Sequence, residues 1–534
     1  MSLGAMQDWP LRVTHLVDHA AREHPGREIV TRWADGSLTR TNWRQVASDA
    51  RRMARALERL GIKPGDRVGT LAMNHERHLA AWYGAVGMGG VLHTLNPRLF
   101  DDQLGYIANH AEDRVLLYDR TLTALVERLK PKWPTIEHYV CFEDDFPGWI
   151  AAEDDDYRWH DGDERDPCGL CYTSGTTGNP KGVIYEHRSN VLHALTQVAP
   201  DMFDLSARSV FYPFAPLFHA NGWAIPWAAP LVGLKLVLSA AVKPDEACAL
   251  FQSEGVTHSA GVPTVWLTMI EHVERTGASL GNLQRIIVGG SAAPRATIQW
   301  FNERGVQVVH AWGMTETSPI GTMCAPGGGW SELNEDEQLD YVARQGRVPF
   351  GVQLRVVDDD GREMPRDGAS CGQLQVRGPW VLKRYFRAEE DSTGPDQWFD
   401  TGDVAVIHPD GTMQITDRVK DVIKSGGEWI SSIELENAVI GCPGVAEAAA
   451  IGIPHPKWDE RPLLLIVRDE DSNLCEAEVR NYLSGEVAKW WLPDAIEFVD
   501  ELPHTATGKL SKKDLRARYR DYRFANAEAM VGRD

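Results

Sequence analysis

The chain is poor in cysteine, has no long apolar run and carries no excess of positive charge. Eight cysteines in 534 residues are too few for the disulfide framework that staples small secreted domains. Cys168-Gly169-Leu170-Cys171 has the spacing of a redox or half-zinc motif, but no second pair follows and both residues lie in an apolar run. Buried strand cysteines are the expectation. No window approaches about 18 uninterrupted apolar residues, and no positively charged start leads into an apolar signal core. An integral membrane segment is therefore not expected, and a cytoplasmic location is. With 55 basic and 76 acidic residues the net charge is −21, which disfavours non-specific attraction to nucleic acid or anionic lipid. Any polyanionic ligand must be held by local Lys, Arg, backbone N–H groups or a metal. Part of the acidity sits in runs, Glu153 to Asp156 and Asp161 to Asp166, which read as solvated loops.

The length allows more than one core, and a hydrophobic share of 43% with 25% charged residues is that of an ordinary globular protein. Residues before Met6 read as an added leader. From Trp43 to Leu60 the apolar positions Trp43, Val46, Ala50, Met53, Leu57 and Leu60 recur at steps of three and four, which predicts a helix with one buried face, stopped by Gly61. Short apolar runs at Val68 to Met73, Gly90 to Leu95 and Val115 to Tyr118 alternate with helical segments. The pattern returns at Val210 to Phe214, Leu234 to Leu238, Ile286 to Val288 and Val306 to His310. Such alternation predicts two α/β layers with largely parallel sheets. Between about Gly351 and Arg377 the texture changes to short alternating runs, as in a small antiparallel sheet or barrel. Beyond Asp417, strand candidates at Ala446 to Ile453, Pro462 to Val467 and Ile496 to Val499, with a helix over Glu476 to Lys489, suggest a compact α+β domain.

The most distinctive stretch is Tyr172-Thr173-Ser174-Gly175-Thr176-Thr177-Gly178-Asn179-Pro180-Lys181-Gly182. Seven of its eleven residues are Gly, Ser or Thr, and it follows the apolar run Cys168 to Tyr172. A loop of this kind can wrap a polyanion, because glycines let N–H groups approach closely, hydroxyls donate hydrogen bonds and the lysine supplies charge. On composition alone it is equally a surface turn. It is not a Walker A loop, since Lys181 follows Pro180 and precedes Gly182.

As a whole this stretch resembles the phosphate-binding signature of the acyl-adenylate-forming synthetases, which include acyl-CoA ligases, luciferases and peptide-synthetase adenylation domains. Four further signatures follow in the family's order. His310-Ala311-Trp312-Gly313-Met314-Thr315-Glu316 resembles the second, which implies that the aromatic and glycine lie by the adenine and acyl group, that Thr315 contacts the α-phosphate, and that Glu316, with Thr173, holds magnesium. A carboxylate among phosphates makes physical sense as a metal ligand. Asp400-Thr401-Gly402-Asp403 and Asp417-Arg418 resemble the ribose site, with Asp403 accepting from the sugar hydroxyls and Arg418 assisting. The segment from Asp417 to Trp429 resembles the hinge and thioesterification signature: Asp417 and Lys420 would form the hinge, and Lys424, Gly426, Gly427, Glu428 and Trp429 would face the coenzyme A arm. Pro503 to Lys509 resembles the last signature, whose lysine, here Lys509, drives adenylation by stabilising charge at the attacked phosphate.

The specificity region is similar to that of bacterial long-chain fatty acyl-CoA synthetases. Phe218 to Trp223 matches the segment bordering the acyl pocket, and Trp223 falls where some of those enzymes place a tunnel-gating tryptophan. The resemblance implies an acyl pocket of His219, Trp223, Val262, Gly289 and Gly313, and adds Gly290, Ser291 and Ala292 to the nucleotide site. His219 counts with Lys509, Thr173 and Glu316 among the catalytic residues. Two departures stand out: Gly222 replaces a slightly larger small residue, which could alter pocket depth, and Gln373 replaces a glutamate.

The implied fold is α/β: a large N-terminal domain of two α/β-layered subdomains plus a small distorted β-barrel (6–416), a hinge (417–422) and a small mobile α+β C-terminal domain (423–534). The implied function is an ATP-dependent fatty acid–CoA ligase, for medium or long chains, using ATP, Mg2+ and coenzyme A through an acyl-adenylate, as a homodimer through the N-terminal region. A short-chain or thioether acid such as 3-methylthiopropionate is an alternative substrate, and a stand-alone adenylation enzyme loading a carrier protein an alternative function. A catalytically dead relative is disfavoured by the joint presence of Thr173, Glu316, Asp403, Arg418 and Lys509.

Overall fold

The computed structural model describes residues 4–173, 179–240, 243–425, 428–469, 472–504 and 510–524. By internal packing the chain divides into two compact units, Met1–Gln353 with Val376–Phe399, and Leu354–Gln375 with Asp400–Asp534. The small four-stranded sheet of Gln353–Val357, Gly372–Arg377, Phe399–Ile407 and Met413–Arg418 is thereby counted largely with the C-terminal residues, whereas the sequence expectation drew its boundary after 416. The physical reason is local: the Asp417 carboxylate accepts the Ser432 N–H at 2.5 Å, and the Ser431 hydroxyl donates to the Thr416 carbonyl.

The first unit contains the two expected α/β layers. One is a six-stranded sheet in the order His138–Cys141, Asp113–Tyr118, Arg67–Leu71, Val91–Thr94, Pro167–Tyr172, Gly182–Glu186, parallel except for the last pair. The other is an eight-stranded sheet in which Gln307–Gly313, Arg285–Val288, His258–Gly261, Val210–Pro213, Lys235–Ser239 and Glu28–Arg32 run parallel, with antiparallel edges at Ile320–Cys324 and Leu38–Asn42. Parallel strands buried on both faces account for the continuous apolar runs read from the sequence. Cys168 and Cys171 are buried and free, as expected of strand cysteines.

The predicted helix spans Trp43–Arg59, with Asn42 capping the Gln45 N–H and Leu60 at its C-cap. Its face of Trp43, Val46, Ala50, Met53 and Leu57 is buried. Helix Glu76–Gly87 packs on it so closely that a Cβ at Gly84 would lie 2.9 Å from the Ala50 carbonyl oxygen and the Met53 Cβ. These helices form part of one core with Trp82, Trp223 and Trp227. The acidic runs are not simply solvated: Glu153 and Asp154 pair with Arg59 and Arg55 of this helix at 2.7 and 3.1 Å, and Asp166 with buried Arg12 at 3.3 Å. The arginine partners lie about a hundred residues away in sequence or more, so local charge density could not reveal them.

In the second unit Val445–His455 and Asp459–Arg468 form a long antiparallel pair extended by Ile423–Ser425, Glu428–Ile430 and, in parallel, Ala495–Phe498. Alternate residues face different cores: Ala448 and Ala450 meet helices Ser432–Ile440 and Glu476–Glu486, while Ala449 and Ile451 meet Leu515 of Lys512–Arg518. Among the described residues no helix is long and apolar enough to cross a membrane.

Five histidines of the first unit are kept neutral chiefly by burial. His78, His187 and His193 are pushed down to about 3, His258 to about 4, and His310 is lowered as well. The unfolded chain, where a histidine titrates near 6.5, takes up these protons more readily. The stability is therefore complete above about pH 6.5 and declines as the pH falls toward the folded values, by up to about 1.4 kcal/mol per pH unit for each group. Thermal melts recorded from about pH 8 to about pH 4.5 should show a midpoint that drops progressively below about pH 6.5. A midpoint independent of pH over that range would contradict it.

Candidate active site

Strands Pro167–Tyr172 and Gly182–Glu186 pair antiparallel with Tyr172 opposite Gly182, and the Thr173 N–H donates to the Lys181 carbonyl at 2.9 Å. The glycine- and hydroxyl-rich loop is thus closed at its base, at the C-terminal end of a strand in a largely parallel sheet, where ligands of such sheets bind. Ser174, Gly175, Thr176, Thr177 and Gly178 lie outside the described residues. Lys181 is exposed, with its ammonium 4.7 Å from the centre of the Tyr385 ring. Gly182 is closely packed, since a Cβ there would sit 3.0 Å from the Phe386 Cβ.

The second cluster grows from strand Gln307–Gly313. His310 is fully buried; its Nδ1–H donates to the Ala343 carbonyl at 3.0 Å and its Nε2 accepts the Ala293 N–H at 3.3 Å, an assignment consistent with its lowered pKa. The histidine thereby ties the backbone just after Gly290-Ser291-Ala292 to the strand that carries Ala311, Trp312 and Gly313. At Gly313 a Cβ would fall 1.7 Å from the Pro319 carbonyl oxygen, so the strand can turn there only as glycine. The Met314 N–H donates to that same carbonyl at 3.1 Å. The Thr315 carbonyl accepts the Tyr185 hydroxyl at 2.8 Å, which joins this turn to the strand leaving the phosphate-type loop. Glu316 is buried, and its Oε1 accepts the Tyr385 hydroxyl at 2.7 Å. Lys181 and Glu316, taken from two distant motifs, therefore meet on one tyrosine. Among the described residues there is no group of three or more His, Cys, Asp or Glu that could hold a metal. A single buried carboxylate suits magnesium shared with phosphate oxygens and water, and does not suit an all-protein cage.

Ala220, Asn221, Gly222, Trp223 and Ala224 all have positive φ, from 35 to 61°. Left-handed backbone at Ala220, Trp223 and Ala224 costs about 1 kcal/mol or more each and needs fixing by neighbours. The Asn221 side chain accepts the Thr94 hydroxyl at 2.9 Å, and the Trp223 carbonyl accepts from Gln197 at 2.8 Å. The turn sets the Trp223 ring edge against Gly289, where a Cβ would come within 3.3 Å of both the indole and the Ala311 carbonyl. Val262 lies beside Gly290 at 3.1 Å by the same measure. Trp223, Val262 and Gly289 of the expected pocket are thus brought together, with Ala311 of the expected nucleotide site beside them, whereas Gly313 packs on Pro319 and His219 is half-buried at the start of the turn. Gly222 does not face this pocket: a Cβ there would meet Leu217 at 2.7 Å, so the residue sets the turn rather than pocket depth.

In the second unit Asp403 and Arg418 are cross-strand partners joined by an ion pair of 2.7 Å, with Asp403 buried and Arg418 largely exposed. Asp417 is buried beside them; burial raises its pKa against the opposing pull of Lys512 and the Ser432 and Arg418 N–H groups. Lys420 is lowered by burial. Lys424 faces Trp429 across a hairpin, its ammonium 6.0 Å from the ring. Gly426, Gly427 and the side chain of Glu428 lie outside the described residues, as does Lys509; His504 and Leu510 on either side of the latter form a bridge. Gln373, the second departure, donates to Asp359 at 3.3 Å. Sequence reasoning missed Tyr185 and Tyr385: neither lies in a glycine-rich or acidic signature, and Tyr385 sits in the basic run Lys383 to Arg387.

Residues 17–386 match the family described as AMP-binding enzyme, and residues 434–509 match the AMP-binding enzyme C-terminal domain. The chain is 47% identical to a 3-methylmercaptopropionyl-CoA ligase of Ruegeria lacuscaerulensis, over 97% of this chain and 99% of that protein. It is 46% identical to a medium-chain-fatty-acid–CoA ligase of Ectopseudomonas oleovorans, over 97% and 98%. Among solved structures, ATP-bound MatB from Rhodopseudomonas palustris superposes with a TM-score of 0.82 at 26% identity, covering 96% of this chain and 99% of that one.

Gly313→Ala should push Pro319 away from the strand and destabilise the protein by about 3 kcal/mol, read as a lowered unfolding midpoint. A wild-type midpoint would show that the turn at Gly313 accommodates a side chain.

Proposed function

From the premise that this chain belongs to the AMP-binding enzyme family and is an AMP-forming acid–thiol ligase, we propose that its acid is aliphatic, of medium or long chain. The observation that carries the reading is the apolar cluster of Trp223, Val262, Gly289 and Ala311, which suits a hydrocarbon tail and offers no charged partner for a second acidic group. A second reading has its own support. The indole rests on Gly289, a placement that would suit a small thioether acid such as 3-methylthiopropionate if it closes the pocket, and two relatives are named for 3-methylmercaptopropionyl-CoA.

In this proposal Thr173 and Lys181, with Ser174, Thr176 and Thr177, hold the phosphates, and Gly290, Ser291, Ala292 and the strand His310–Thr315 border the nucleotide. Asp403 and Arg418 take the ribose. Glu316 and Thr173 hold magnesium, which when bound supplies positive charge between the two anionic reactants. The acid's carboxylate attacks the α-phosphorus, pyrophosphate leaves in line, and Lys509 stabilises the developing charge. The coenzyme A thiolate then attacks the acyl-adenylate and AMP leaves, with Lys424 to Trp429 along the pantetheine arm. We place the hinge between these steps at Asp417 and Lys420. A homodimer through the N-terminal region and a cytoplasmic location complete the proposal.

The test is pyrophosphate release and thioester formation on straight-chain acids of about two to about eighteen carbons and on 3-methylthiopropionate, with and without coenzyme A. Maximal turnover at medium or long chains is expected. A maximum at short or thioether acids would replace it with the second reading, and pyrophosphate without thioester would point to a carrier-loading enzyme.

A further inference from the structure

Tyr385 belongs to none of the five signatures, yet it touches the two charged residues that the site depends on. Its hydroxyl donates to Glu316 Oε1 at 2.7 Å, and its ring lies 4.7 Å from the Lys181 ammonium. The segment carrying it is stapled on both sides. The Ser318 hydroxyl donates to the Trp380 carbonyl at 2.8 Å, the Trp380 indole to the Ile320 carbonyl at 3.0 Å, and the Leu382 N–H to the Glu316 carbonyl at 2.7 Å. On the far side the Phe386 N–H donates to the Gly182 carbonyl at 2.8 Å, and Arg387 pairs with Glu112 at 2.6 Å. These bonds pin the backbone around Tyr385 to the turn of Glu316 and to the strand that follows Lys181, so the ring has little freedom to leave either.

We propose that Tyr385 is a positioning residue that prearranges both halves of the polyphosphate site. Its hydroxyl fixes the rotamer of Glu316, and its ring seats the Lys181 ammonium by a cation–π contact. The aromatic spacer gives both charges a partner without joining them in a direct ion pair, which phosphate and metal would have to break. The benefit is preorganisation: the carboxylate and the ammonium are already placed when the nucleotide arrives. The inference rests on the reading of Glu316 as a magnesium ligand and of Lys181 as a phosphate ligand.

The test is calorimetric binding of an ATP analogue with an uncleavable α,β-bridge to the full chain, with magnesium titrated and then removed by chelation. Tyr385→Phe keeps the ring and loses the hydroxyl. It should raise the magnesium needed for half-maximal binding by about tenfold, the size of one hydrogen bond to a charged group, while metal-free affinity stays within about twofold. Tyr385→Ala should in addition weaken metal-free binding, because Lys181 loses its seat. Thermal melts of both variants separate these effects from unfolding. A wild-type magnesium requirement in Tyr385→Phe, alongside a lost one in Glu316→Gln, overturns the positioning role. A wild-type magnesium requirement in Glu316→Gln instead overturns the metal reading itself, and this inference with it.

Discussion

Anionic reactants, a polyphosphate and a carboxylate, must be brought together on a protein that itself carries a net charge of −21. General attraction is absent, so the positive potential has to be local, supplied by backbone N–H groups, single lysines and a metal. In the first unit this requirement falls on the paired strands Pro167–Tyr172 and Gly182–Glu186. Their register closes the loop at Thr173 and Lys181, and Tyr185 on the second strand reaches the turn that carries Glu316. Thr173, Lys181, Glu316 and Tyr385 are thus referenced to the same pair of strands.

The proposed acyl side obeys a different constraint. Trp223 is placed by five successive residues in left-handed backbone, a conformation that persists only where surroundings over-determine it. Thr94 and Gln197 provide that support from neighbouring elements, so the position of Trp223 is set by the framework and not by the turn's own preferences. The same support explains how two alanines and a tryptophan are tolerated where glycine or asparagine is the usual choice.

Much of this was legible in the sequence. The step of three and four from Trp43 to Leu60 gave the helix and its buried face, because periodicity reports burial directly. The apolar runs gave the parallel strands, because strands covered on both faces have no polar side to show. The resemblance assigned Asp403 and Arg418 to one expected ribose site and Thr173, Lys181 and Glu316 to one expected phosphate and metal site; the structure pairs the first two and joins Lys181 and Glu316 through Tyr385. What stayed hidden depends on long-range contact. The arginine partners of Glu153, Asp154 and Asp166 lie far along the chain, and the antiparallel edge strands follow from topology. Tyr385 could not be found because residues 378–398 form no periodic element, and one phenol in a basic run carries no local signal. Gly222 was misjudged for a related reason: which way an absent Cβ would point is a property of the turn, not of the residue.

The central claim is that a carboxylate of this enzyme's acid attacks the α-phosphorus of ATP. It is tested most directly by supplying the best acid labelled with oxygen-18 in its carboxylate, together with ATP, magnesium and coenzyme A, and analysing the nucleotide product by mass spectrometry. The account predicts that AMP acquires one labelled oxygen per turnover and that pyrophosphate acquires none. Unlabelled AMP, with the label appearing in phosphate or pyrophosphate, would contradict it and require activation at a different phosphorus.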